Sequence, residues 1–313
     1  MRVFVFPGQG SQKIGMGIDL YQNFTEAKYV FDEVDDILSF KLSELMFSGD
    51  LSELSLTHNT QPALMTIGIA VLRVLEKETG KKVEEMADYL CGHSLGEFTA
   101  LCASGVLNIR ETAKLLKIRG EAMQEAVPKD QGAMAALISS DFSKVDELLS
   151  SVNNIGTCEI ANENSKEQIV ISGNIQAVEQ AVKLSKNYNI KKAILLNVSA
   201  PFHCSLMKPA QEKLKDELNQ IKFNKPKVTI ICNFSGLPEK DPVKLKENII
   251  NQVTSKVKWK QTMIFVKENK INELVELGSG KVLTNLAKRF LEQVEVYNIE
   301  TTTDIKNKLH YFC

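Results

Sequence analysis

Apolar and polar positions along this chain follow two rhythms, and the change between them falls near residue 130. Val3 to Phe6 is an unbroken apolar run stopped by Pro7-Gly8, which predicts a short buried strand. From Thr60 to Glu78 apolar residues recur at 63, 64, 67, 70, 71, 74 and 75, the spacing of one helical face, with Gly80 as its stop. Ala87 to Cys91 reads as a second short strand, and Gly92 opens a turn after it. Helices follow over Leu95–Ala103 and Ile109–Ala126, the second with Asn108 as its cap.

Past residue 130 the elements shorten. Gly132–Ile138 reads as strand, Asp141–Val152 as helix, and Thr157–Ala161 and Glu167–Ser172 as strands. Ala177–Asn187 then reads as helix and Lys192–Val198 as strand. The order β-α-β-β-α-β is the split unit of a ferredoxin-like module. Longer alternation then returns: Val228–Asn233 strand, Pro242–Val253 helix, Glu273–Leu277 strand, Lys281–Leu291 helix. The expected architecture is α/β. A large domain with a parallel sheet spans 1–129 and 199–313, and a small ferredoxin-like domain over 130–198 is inserted into it.

Composition narrows the class. The 313 residues carry 38 Lys+Arg against 39 Asp+Glu, so the electrostatic case for nucleic acid or an anionic membrane as partner is missing. The longest apolar segment, Ala63 to Leu75, is too short to span a bilayer and contains Arg73. The first residues also lack the long apolar stretch of a signal peptide, so a cytoplasmic location is expected. Six dispersed cysteines (91, 102, 158, 204, 232 and 313) have no Cys-x-x-Cys pair and read as reduced thiols. No metal-ligand spacing is present among the four histidines.

The chemistry starts at Gly92-His93-Ser94-Leu95-Gly96, a Gly-x-Ser-x-Gly between a predicted strand and a predicted helix. Glycines permit the sharp turn that projects the serine hydroxyl at the helix start, where the dipole favours developing negative charge. The plainer alternative is a serine cap in a glycine turn. Serine needs a base. His93 adjoins the nucleophile and diverges from it, and His58 reads as a solvated loop residue ahead of its helix. Two candidates remain. His203, in Pro201-Phe202-His203-Cys204, returns at the junction of the two predicted domains. His310, with Asp304, stands in hydrolase chain order. Arg119 by itself reads as a surface ion-pair residue. Gly278-Ser279-Gly280-Lys281 is not a P-loop, because Val282 follows the lysine.

Several segments together resemble the malonyl-CoA:acyl-carrier-protein transacylase family. They are Phe6-Pro7-Gly8-Gln9-Gly10-Ser11-Gln12, Thr60-Gln61-Pro62-Ala63, Gly92 to Glu97, Arg119-Gly120 with Met123-Gln124, and Gly132-Ala133-Met134. Further on come Ile169 to Gly173, Val198 to His203, and Gly278 to Leu283. The resemblance implies an α/β-hydrolase-like domain carrying a ferredoxin-like insertion. It implies malonyl transfer from malonyl-CoA through a malonyl-serine to the phosphopantetheine thiol of holo acyl carrier protein, in fatty acid synthesis, with no cofactor bound to the enzyme. Ser94 would be the nucleophile and His203 its base. The backbone N–H groups of Gln9 and Leu95 would form the oxyanion hole. Arg119 would clamp the malonyl carboxylate, with Met123 and Asn162 lining the substrate. The Gln252 carbonyl would orient His203, and bulky Phe202 would disfavour methylmalonyl. Ser279 and Lys256 stand where relatives often carry proline, and Lys191, Lys192, Lys256 and Lys258 are candidate contacts for an acidic carrier. The rival readings are a serine hydrolase built on Ser94 and His310, a stand-alone acyltransferase of a polyketide pathway, and a non-catalytic carrier-binding subunit.

Overall fold

A computed structural model describes residues 1–139, 141–198 and 200–312. Ser140, Ser199 and Cys313 lie outside the described residues, and with them the thiol expected at 313 and one residue of the segment before His203. The fold is mixed α/β. Ten strands run in chain order: β1 (Arg2–Phe6), β2 (Tyr89–Gly92), β3 (Gly132–Ile138), β4 (Cys158–Glu163), β5 (Gln168–Asn174), β6 (Lys192–Leu195), β7 (Thr229–Ile231), β8 (Pro238–Glu239), β9 (Glu273–Leu277) and β10 (Glu295–Ile299). They form two sheets, ordered β10-β9-β1-β2-β7-β8 and β4-β5-β3-β6.

In the larger sheet every pairing from β10 to β7 is parallel, and only β8 runs against its neighbour. β1 lies at its centre with both faces covered. Phe4 and Phe6 enter one apolar core, while Val3 and Val5 enter another with Cys91, Ile231 and Trp259. Burial on both sides is why β1 reads as a continuous apolar run rather than an alternating one. Successive strands are laid down on either side of β1, so the loops after β1, β2 and β7 meet at one carboxyl edge, where open parallel sheets bind ligands.

The smaller sheet is antiparallel throughout. The helices Phe142–Val152 and Ile175–Leu184 cover one face of it, closing a separate core of Ala135, Leu137, Val145, Leu148, Ile169, Ile171 and Val178. It is sewn to the rest of the chain at β4. The Val257 N–H donates to the Ala161 carbonyl (2.8 Å), the Glu163 N–H donates to the Val257 carbonyl (3.0 Å), and Lys256 pairs with Glu163 at 2.5 Å.

Some boundaries differ from the apolar rhythm. The first long helix spans Thr57–Thr79, so His58 lies in its first turn, half-buried, and is not a loop residue. The helix runs beyond its first periodic apolar residue because its opening turns bury Thr57, Asn59, Thr60 and Gln61. β6 ends at Leu195 instead of Val198. Leu196 keeps one sheet bond, to the Met134 carbonyl, and the chain then turns away along the cavity described below. Residues 7 to 56, for which the rhythm gives no element, hold four helices, the longest Thr25–Leu38 with Ala27, Val30, Phe31 and Val34 buried on one face. β10 and the helices Lys208–Asn219, Trp259–Glu268 and Thr302–Lys308 are likewise additional.

Candidate active site

The turn after β2 is built by contacts that exclude any side chain but hydrogen at three positions. A Cβ on Gly92 would fall 2.1 Å from the Gly96 carbonyl oxygen. One on Gly96 would fall 2.2 Å from the Phe6 carbonyl oxygen, and one on Gly8 would fall 2.8 Å from that of His93. The β1 loop is thereby pressed against the elbow. Ser94 itself sits at φ 54°, ψ −110°, a conformation an L-residue holds only when its surroundings fix it. Two buried amides do so: the Ser94 N–H donates to Asn233 Oδ1 (2.7 Å), and Gln252 Nε2 donates to the Ser94 carbonyl (3.0 Å). Leu95 is the first residue of the helix Leu95–Ala103, so its N–H has no acceptor within the helix.

Ser94 Oγ stands 2.7 Å from His203 Nε2, and His203 Nδ1 stands 2.9 Å from the Gln252 carbonyl oxygen. A carbonyl only accepts, so Nδ1 carries the hydrogen and Nε2 is left as the acceptor facing the serine. Burial, with the Arg119 charge second, drives the His203 pKa down to about 3. The ring is therefore neutral at neutral pH, with Nε2 able to accept a proton. An NMR titration of the labelled imidazole is expected to show a single Nδ1–H tautomer at pH 5, where an ordinary histidine is protonated. Protonation midway near 6.5 would mean the ring is not sequestered as described.

Arg119 lies on the Ile109–Glu125 helix, which Asn108 and Glu111 cap reciprocally. The buried face of that helix carries Thr112, Leu115, Leu116, Arg119 and Met123. Gly120 lets it approach the Thr57–Thr79 helix, since a Cβ there would meet the His58 Cα at 2.4 Å. Arg119 is 1% exposed. Nη1 donates to Gln61 Oε1 (2.8 Å), and Nη2 donates to Ser94 Oγ (3.1 Å) and Gln252 Oε1 (3.0 Å), while Nε finds no protein partner. Burial brings its pKa down to about 10, which leaves it cationic at neutral pH. A buried planar cation with a spare donor, in contact with the Ser94 hydroxyl, has the chemistry to bind a carboxylate.

These groups open into a cavity of about 440 Å³ between the two sheets. Its lining includes Gln9, Leu95, Met123, Asn162 and Phe202 as well as Ser94, Arg119 and His203. Asn162 reaches it at the irregularity in β4 pairing between Ile160 and Asn162. Gln252 stands behind the wall, fully buried. His310 is not among the lining residues; it is exposed and lies tilted against Tyr311 with ring centroids 4.2 Å apart. Asp304 caps the Thr302–Lys308 helix. The Cys204 thiol turns away to the Pro201 carbonyl, and burial pushes it up to about 11. Arg119 is buried rather than a surface ion-pair residue, and its spacing four residues before Met123 and three after Leu116 was the available signal. Gln61 had the same signal, a polar residue on the apolar face of its helix. Asn233, brought in from the end of β7, had none. Ser279 uses its hydroxyl, donating to the Ser11 carbonyl (2.8 Å), which a proline there would lack.

Known proteins resemble this chain over nearly its full length. The family model described as acyl transferase domain matches residues 3–307. A malonyl CoA-acyl carrier protein transacylase of Bacillus subtilis is 43% identical over 302 residues, covering 95% of this chain and 94% of its own. The crystal structure of an acyl-carrier-protein S-malonyltransferase from Bartonella henselae superposes with a TM-score of 0.96 at 46% identity, covering 99% of each chain. A malonyl-transacylase solved in complex with a type II polyketide acyl carrier protein reaches 0.95 at 35% identity, again over 99% of each chain.

Proposed function

The chain belongs to the acyl transferase family, among the malonyl-CoA:acyl-carrier-protein transacylases, and from that membership we infer the following reaction and residue roles. It moves malonyl from malonyl-CoA to the phosphopantetheine thiol of holo acyl carrier protein, with no cofactor of its own. Ser94 Oγ attacks the thioester carbonyl as its proton passes to His203 Nε2. The oxyanion is met by the N–H groups of Gln9 and Leu95, each such donor being worth about 10²–10³ in rate. The carbon–sulfur bond breaks, and the departing coenzyme A sulfur takes the proton from His203. The carrier thiol then gives its proton to His203 and attacks the malonyl-serine. Ser94 Oγ leaves and recovers that proton.

Arg119 holds the malonyl carboxylate throughout, Gln61 and Gln252 aim its guanidinium, and the Gln252 carbonyl holds His203. Phe202, buried at the cavity wall, crowds a branched α-carbon and so favours malonyl over methylmalonyl. We read the main sheet as α/β-hydrolase-like, over 1–129 and 199–313. The antiparallel unit over 130–198 reads as a ferredoxin-like insertion that supplies the far wall. No helix among the described residues is long and apolar enough to cross a membrane. We read the chain as a cytoplasmic enzyme serving fatty acid synthesis.

The observation that carries this reading is the contact of one serine oxygen with both a neutral histidine and a buried arginine. Mass spectrometry after incubation with malonyl-CoA alone is expected to find one malonyl adduct, on Ser94, discharged rapidly by holo carrier protein and slowly by water. Rapid discharge by water would make the chain a hydrolase, and no adduct would sink the covalent route.

A further inference from the structure

Glu97 has no part in the transfer just described, yet it is 1% exposed, one turn behind the nucleophile. Its Oε2 accepts the Asn233 N–H (3.0 Å) and Gln252 Nε2 (2.7 Å). Those two residues are the ones that grip the Ser94 peptide, and Asn233 Nδ2 also donates to the Gly92 carbonyl (2.7 Å). A side-chain amide can be turned end for end, and its neighbours decide which end goes where. For Gln252, Nε2 faces three acceptors, Glu97 Oε2 at 2.7 Å, the Ser94 carbonyl at 3.0 Å and, most distant, Asn233 Oδ1 at 3.5 Å, which leaves Oε1 as the end facing Arg119 Nη2. Reversal would set Oε1 against three oxygens and an N–H₂ against a guanidinium.

We propose that Glu97 is a positioning residue for the carboxylate clamp: it fixes the Gln252 amide with Oε1 toward Arg119, and with it the placement of the guanidinium beside Ser94. This rests on the reading of Arg119 as the malonyl clamp. Burial pushes the Glu97 carboxyl up to about 7, against the pull of the Asn233 and Gln252 hydrogen bonds. The fold thus keeps an ionisable group, at a cost, where helix packing alone would take an apolar side chain.

The test compares kcat/KM for malonyl-CoA and acetyl-CoA in Glu97→Met and Glu97→Gln, with active sites counted by a serine-directed fluorophosphonate. Glu97→Met fills the volume without the acceptor. It is expected to lose about 100-fold on malonyl and about tenfold on acetyl, so that the malonyl-to-acetyl ratio falls about tenfold. Glu97→Gln retains an oxygen for both N–H donors and is expected to keep the ratio within about threefold. Equal losses on both substrates, as a merely structural role would give, overturn the proposal, and so does no loss. If Glu97→Met does not fold, Glu97→Asp, which withdraws the acceptor by one methylene, carries the same comparison. A wild-type enzyme that does not prefer malonyl would overturn the clamp itself. An unchanged ratio in an enzyme that does prefer it overturns only the part assigned to Glu97.

Discussion

Replacing Ser94 by alanine is expected to lower malonyl transfer by about 10⁴-fold or more and to abolish the malonyl adduct, while leaving the fold intact. The size follows from the route. Without Oγ no acyl-enzyme forms, and the residual rate is only what binding and the amide donors can give to direct attack. Because Ser94 and His203 share one proton across 2.7 Å, they act as a unit. The double variant Ser94→Ala, His203→Ala is therefore expected to be no slower than Ser94→Ala alone. Initial rates with malonyl-CoA and holo carrier protein check both statements. A double variant slower by the product of the single losses would show that the two residues act independently.

The second large effect is on specificity. Arg119→Ala is expected to reduce kcat/KM for malonyl-CoA by about 10²–10³-fold, the loss typical of removing one partner of a buried, hydrogen-bonded charge pair. The same change leaves acetyl-CoA, which has no distal carboxylate, unaffected or better accepted. With the guanidinium gone, the amide oxygens of Gln61 and Gln252 lose their donor, and the malonyl carboxylate would be desolvated against unpaired acceptors. Competition between the two thioesters, read as the ratio of adducts on Ser94, measures this directly. An unchanged ratio would remove Arg119 from substrate recognition.

The two effects differ in how far the sequence foreshadows them. Gly92-x-Ser94-x-Gly96 specifies its turn locally, because the strand, the glycines and the helix that make it are contiguous. The elements of the small sheet were legible for the same reason: their period and turns are short-range properties. The apolar rhythm marks neither the four helices before residue 57, although Thr25–Leu38 carries its apolar stripe, nor the helices Lys208–Asn219 and Trp259–Glu268, nor the last strand and helix. Arg119 by itself reads as a surface residue because of its charge, although its spacing from Leu116 and Met123 puts it on the apolar face of its helix. The choice between His203 and His310 also stayed open on pattern alone. Resemblance to a family named the roles, and the spatial arrangement brings Ser94, His203, Arg119 and Gln252 into contact.

By itself, then, the sequence determined the serine elbow, the alternation of short and long elements, and a near-neutral chain without the charge excess that marks nucleic-acid binders. Only the tertiary structure decided which histidine meets the serine, that its partner is a carbonyl and not a carboxylate, and that Glu97, Asn233 and Gln252 lock the peptide of the nucleophile. The physical reason is distance along the chain. An elbow is fixed by the torsions of neighbouring residues. His203 and Gln252 lie 109 and 158 residues beyond Ser94 and meet it only through tertiary packing.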